Sequence, residues 1–119
     1  MDDLTYFIQT FIAKNRRERW LILANGKKEK LYDKLQELEK HLNEKCTLVQ
    51  NNALEAFNDL LSEERIVSGT YIGREGIITL SPIALGEIRD NSLLICRGKG
   101  IAFFFHHEGW VWICREEKS

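Results

Sequence analysis

Two neighbouring segments near the C-terminus constrain this chain more than any other feature. Ile101-Ala102-Phe103-Phe104-Phe105 is apolar at every position, and so is Trp110-Val111-Trp112-Ile113. Successive side chains of a strand point to opposite faces. Both segments therefore show apolar side chains on two sides at once, and a sheet built on them must be covered twice. His107-Glu108-Gly109 lies between them and supplies the turn of a hairpin. Trp110 and Trp112 point to one side, Val111 and Ile113 to the other.

The N-terminal helices can cover one face, and the other must meet another element or another molecule. With 119 residues, 44% of them apolar, there is material for one core and not for two. One domain is expected over 1–119, helical over 1–64 and sheet-forming over 65–119. Leu4, Phe7, Ile8, Phe11 and Ile12 make one stripe of a helix, with Asp2 and Asp3 at its positive end. A second helix is expected to start at Asn15, with Glu18 completing a capping box. It carries Trp20, Leu21 and Leu23 and stops at Asn25-Gly26. Leu31, Leu35, Leu38 and Leu42 step by 4, 3 and 4, which predicts one long helix to about Lys45. Asn52 and Glu55 repeat the cap pattern before a fourth helix with Leu54, Phe57 and Leu61.

From Arg65 the periodicity changes to that of strands. Ile66–Ile72 and Ile77–Leu80 flank the turn Gly73-Arg74-Glu75-Gly76. Ser81-Pro82 predicts a brief helix through Leu85 and Ile88. Strands Leu93–Arg97, Ile101–His106 and Trp110–Arg115 follow, the first two joined by Gly98-Lys99-Gly100. The fold class is α+β: N-terminal helices packed on a mainly antiparallel sheet of four to five strands. Three-residue loops would set Cys96 opposite Ala102 and Ala102 opposite Cys114. The two thiols would then be roughly 10 Å apart, too far for a disulfide.

Arg16-Arg17-Glu18-Arg19-Trp20, Lys30 to Leu42, Ile66-Val67-Ser68-Gly69, Ile83-Ala84-Leu85 and Gly98 to Phe104 follow one another in an order that resembles a family of small uncharacterised bacterial proteins. The resemblance implies the order of elements and no activity. Arg97-Gly98-Lys99-Gly100 stands where that pattern has a Pro-Gly turn.

Charge and motif exclude more than they identify. Seventeen basic against eighteen acidic side chains rule out a polybasic protein, and one proline with eight glycines rules out a collagen-like or disordered chain. The longest apolar runs have five residues, against the ~20 that span a bilayer, so no membrane partner is expected. Met1-Asp2-Asp3 lacks the basic start of a secretory signal. Cys46, Cys96 and Cys114 are odd in number and widely spaced, which predicts reduced thiols and a cytoplasmic location.

No phosphate-loop or nucleophile-elbow motif occurs. His106 and His107, as neighbours on a strand, point to opposite faces and cannot both bind one metal unless the turn bends them together. No cofactor and no catalytic residue are expected, and an enzyme using His106 or His107 is the least favoured reading. Two candidate surfaces remain. One is the two-faced hairpin, Phe104, Trp110, Trp112 and Ile113, as an apolar surface for an unidentified protein or for self-association. It makes the leading reading a non-catalytic bacterial protein-binding module, with an inhibitor or immunity role as one version. The other is segment 14–34, with eight basic against three acidic residues. There Arg16, Arg17, Arg19, Lys27 and Lys28 are candidates for binding nucleic acid or phosphate.

Overall fold

A computed structural model describes residues 1–117 and shows an α+β domain of three layers. Helices α1 (Asp3–Phe11), α2 (Arg17–Ala24) and α3 (Lys28–Leu35) come first. Strand β1 (Cys46–Val49) and helix α4 (Ala53–Glu63) follow, then β2 (Gly69–Gly73), β3 (Gly76–Leu80), β4 (Ser92–Cys96), β5 (Ile101–Phe105) and β6 (Val111–Arg115). The strands form one antiparallel sheet in the order β1-β6-β5-β4-β2-β3. It has six strands rather than four to five, because Cys46–Val49 pairs with the closing strand. β6 is therefore interior and not an edge. Lys118, the last of the charges following it, lies outside the described residues.

The all-apolar hairpin is covered twice, as its pattern demands. On one face Leu4, Phe7, Ile8, Phe11 and Ile12 of α1 pack with Trp20, Leu31, Leu35 and Leu38 against Ile95, Ala102, Phe104 and Cys114. On the other, α4 lays Ala53, Phe57 and Leu60 over Phe103, Phe105 and Val111. Phe57 sits edge-on to Phe103 at 4.7 Å and to Phe105 at 5.0 Å, the geometry that aromatic quadrupoles prefer. The second face, which the sequence leaves to another element or another molecule, is closed by α4. Its stripe is Ala53, Phe57 and Leu60, while Leu54 is exposed.

The long leucine helix does not form. α3 ends at Leu35, and Leu38–His41 is a separate 3-10 turn. The break has a non-local cause. Ala13 N–H donates to the His41 carbonyl and Asn43 N–H to that of Phe11, so the chain at Leu42 bridges the end of α1. The Asn43 amide donates to the Thr10 carbonyl, and its oxygen accepts from Lys45 N–H. Leu31, Leu35 and Leu38 still reach the core.

Smaller expectations also change. α2 has no side-chain cap and begins after a 3-10 turn over Lys14–Arg16; it ends with Asn25 donating back to the Leu21 carbonyl. Asn52 precedes α4 in a left-handed conformation, φ 55°, and makes no capping bond. The strand predicted from Ile66 begins at Gly69. Ser81-Pro82 opens no α-helix, and only Leu85–Glu87 coils there. The turn before β5 is one residue longer than expected, so Cys96 pairs with Ile101 and Ala102 with Ile95. Cys96 thus lies on the α4 face, while Cys46 and Cys114 oppose each other on the α1 face.

Candidate functional site

The aromatic hairpin is tied down rather than displayed. Phe104 is fully buried, so it is no part of a surface. It pairs across the strands with Trp112, under the α1–α3 layer. Ile113 is half-buried against the α4 core. Trp110 and Trp112 are half-buried, and both indole N–H groups donate to Glu39 Oε2, at 3.2 and 3.0 Å. Glu39 stands in the 3-10 turn that replaced the helix.

His106 completes this network. Its Nε2 lies 3.2 Å from Glu39 Oε1, and its Nδ1 accepts from Glu108 N–H at 3.1 Å. With Nδ1 facing a backbone donor, Nε2 is the ring nitrogen that donates to the carboxylate. The ring stacks with His107 at 4.1 Å and with Trp110 at 4.5 Å; β5 ends at Phe105, so the two histidines lie in the turn and come together instead of pointing to opposite faces. Burial alone would raise the Glu39 carboxyl, but the bonds from Trp112 and Trp110 and the nearby histidines outweigh it and hold it below the usual glutamate range. Both ring nitrogens of His106 therefore have partners within the fold. His107 is exposed, with Nδ1 against Asn91 Oδ1 at 3.1 Å. Sequence spacing gave no hint that Glu39 would join these residues, 71 positions from Trp110.

The basic segment divides into two places. Arg16 and Arg19 line a cleft of about 230 Å³ with Trp20, Lys34, Glu37 and His41. Arg17 turns away, its Nε donating to the Ile12 carbonyl at 3.0 Å. Lys27 and Lys28 lie past the far end of α2, and Lys28 reaches the β2–β3 turn at Gly76. The five candidates do not form one surface.

A larger cleft, about 710 Å³, runs between segment 65–70 and the Arg97–Lys99 turn. Arg97 there is used in the fold: it lies over the Tyr6 ring at 5.2 Å and 3.6 Å from Asp3. Burial pushes the Cys96 thiol in its wall up to about 12, which leaves no thiolate nucleophile at neutral pH.

The sheet edges differ. β1 is short, with Cys46 buried and Leu48 and Val49 half-buried. β3 ends the sheet on the other side, and Ile77 and Ile78 are 45% and 49% exposed. Ile77 pairs with Ile72 and faces the α1–α3 layer; Ile78 pairs with Tyr71 and faces the α4 side. No charge and no proline stands within Gly76–Leu80, the devices that usually blunt an edge. Lys28 flanks the Gly76 end. Asp2 and Asp3 share a cleft with Thr79 at the other, and Asp3 accepts from Thr70 Oγ1. In the sequence, Ile77–Leu80 reads only as one half of a hairpin across Gly73-Arg74-Glu75-Gly76.

Among the described residues no group of three or more His, Cys, Asp and Glu can hold a metal ion, and no helix is long and apolar enough to cross a membrane. Comparison of the chain with family models, curated proteins and solved structures finds no match in any of the three.

Proposed function

We propose that this chain is a non-catalytic binding protein that docks a protein partner along β3 by strand addition. The carrying observation is a terminal strand with both isoleucines about half exposed and no charge or proline inside it. Strand addition uses the unpaired backbone groups of such an edge for affinity and its alternate side chains for specificity. The occupant is an extended segment with apolar side chains over Ile77 and Ile78. The flanking charges add a second requirement: an acidic residue beside Lys28 at the Gly76 end, and a basic one beside Asp2 and Asp3 at the Thr79 end. The aromatic hairpin, on this reading, is core and scaffold. An inhibitor or immunity role is one form such a protein takes, and free buried thiols suit the reducing cytoplasm.

Paired affinity capture tests the reading. Wild type and an Ile77→Lys/Ile78→Lys variant serve as baits in lysate of the source organism, with Ile22→Lys as control. Ile22 is also exposed, on α2, far along the chain from β3. The proposal expects a partner retained by wild type and Ile22→Lys and lost by the edge variant. A partner retained by all three docks elsewhere, and the reading fails. Sedimentation over a hundredfold concentration range identifies the case in which the partner is a second copy.

A further inference from the structure

The cleft between α2 and α3 is built differently from a solvated helix face. Arg16 and Arg19 enter it from one side, Lys34 from the other, with the Trp20–His41 pair in its wall. The ion pairs among the described residues are Lys34–Glu37, Arg97–Asp3, Arg115–Glu64 and those of His106 and His107. Neither Arg16 nor Arg19 has a carboxylate partner among them. Glu37 is the one acid in the cleft, and it is already held by Lys34 at 3.2 Å. Three cations therefore share one carboxylate.

His41 adds a donor of known tautomer. Trp20 Nε1–H donates to His41 Nδ1 at 2.9 Å. An indole nitrogen only donates, so Nδ1 is unprotonated and the neutral ring carries its proton on Nε2. No hydrogen bond to Nε2 occurs among the described residues. We propose that this cleft binds a small phosphate dianion, inorganic phosphate or a phosphomonoester. Arg16 and Arg19 supply guanidinium donors, and the His41 Nε2–H supplies a neutral one.

Guanidinium matches phosphate geometry and stays charged at any working pH. Burial, then Arg16, holds the His41 pKa below the ordinary 6.5, with Arg19 and Lys40 acting the same way and Glu37 opposing them. The ring thus stays neutral where phosphate becomes a dianion, near pH 6–7. Keeping it neutral also preserves its bond from Trp20, since a protonated Nδ1 would oppose the indole N–H. The small volume suits a phosphate group rather than a whole nucleotide. Only Arg16 and Arg19 of the five sequence candidates take part, and His41 joins them.

The Trp20 indole N–H is a built-in reporter, assigned by its loss in Trp20→Phe. Titration of the intact protein with inorganic phosphate at low salt, followed by NMR, should shift this resonance saturably in the ~1 mM range. Sodium chloride of equal ionic strength should leave it in place. Arg16→Gln/Arg19→Gln, both exposed positions, should weaken binding at least tenfold with an unchanged thermal midpoint. Glu37→Gln should tighten it a few-fold by freeing Lys34. A phosphate shift reproduced by chloride, or retained in the double variant, overturns the proposal. So does a single-stranded oligonucleotide that binds while inorganic phosphate does not.

Discussion

The Glu39 carboxylate receives two indole N–H groups and one imidazole N–H, and so fixes where Trp110, Trp112 and His106 sit. Replacing it with leucine leaves these sheltered donors without their acceptor. Unpaired buried donors cost about 1–3 kcal/mol each, and partial exposure lets water meet some of that need. Glu39→Leu should therefore lose roughly 2–4 kcal/mol in urea unfolding. Its pKa is lower folded than the ordinary 4.5. The stabilisation is complete above that value and drains away as pH falls through the folded pKa. Acid titration of stability should accordingly show wild type losing more than Glu39→Gln between about pH 5 and pH 3; equal losses would mean the carboxylate charge is not felt. Nothing near residue 39 marks this role in the sequence. The available signal was distant: two tryptophans on one face of a buried hairpin, each with an N–H in need of an acceptor.

Asn43 decides the shape of its stretch of chain. It closes the end of α1 through the Thr10 carbonyl and turns the backbone toward β1 through Lys45 N–H. Asn43→Ala should cost about 1–2 kcal/mol, by loss of these two bonds from a half-buried site, read as a lower midpoint in thermal unfolding. The leucine spacing before it was a true signal of a shared apolar face, and Leu31, Leu35 and Leu38 do share the core. The spacing carried no information about the bridge between Ile12 and Leu42, which joins residues 30 positions apart. For the same reason β1 went unread: four residues, Cys46-Thr47-Leu48-Val49, show no alternation that outweighs their setting between apparent helices. Strands β4, β5 and β6 were legible because continuous apolar runs bounded by glycine turns leave few alternatives. α4 was legible as a helix, but its use was not, since no local pattern says which face of a distant sheet it will meet.

That use is what makes the fold a closed sandwich. Phe57 is the centre of the second layer, fully buried and edge-on to two strand aromatics. Phe57→Ala should cost about 3–5 kcal/mol in chemical denaturation; a loss under 1 kcal/mol would mean that α4 is not the cover described. With both faces closed, the exposed apolar side chains of the sheet are those of its free edge, Ile77 and Ile78. The proposed docking surface and the phosphate cleft lie apart, one on β3 and the other between α2 and α3, so each can fail without the other. Amide hydrogen exchange on the complex with the captured partner tests the edge most directly. Protection should rise along Gly76–Leu80 and at the adjoining Arg74-Glu75 turn, with α1–α3 and α4 unchanged. Protection that rises instead over the α4 surface or at Trp110 and Trp112, with β3 unaltered, would contradict the account.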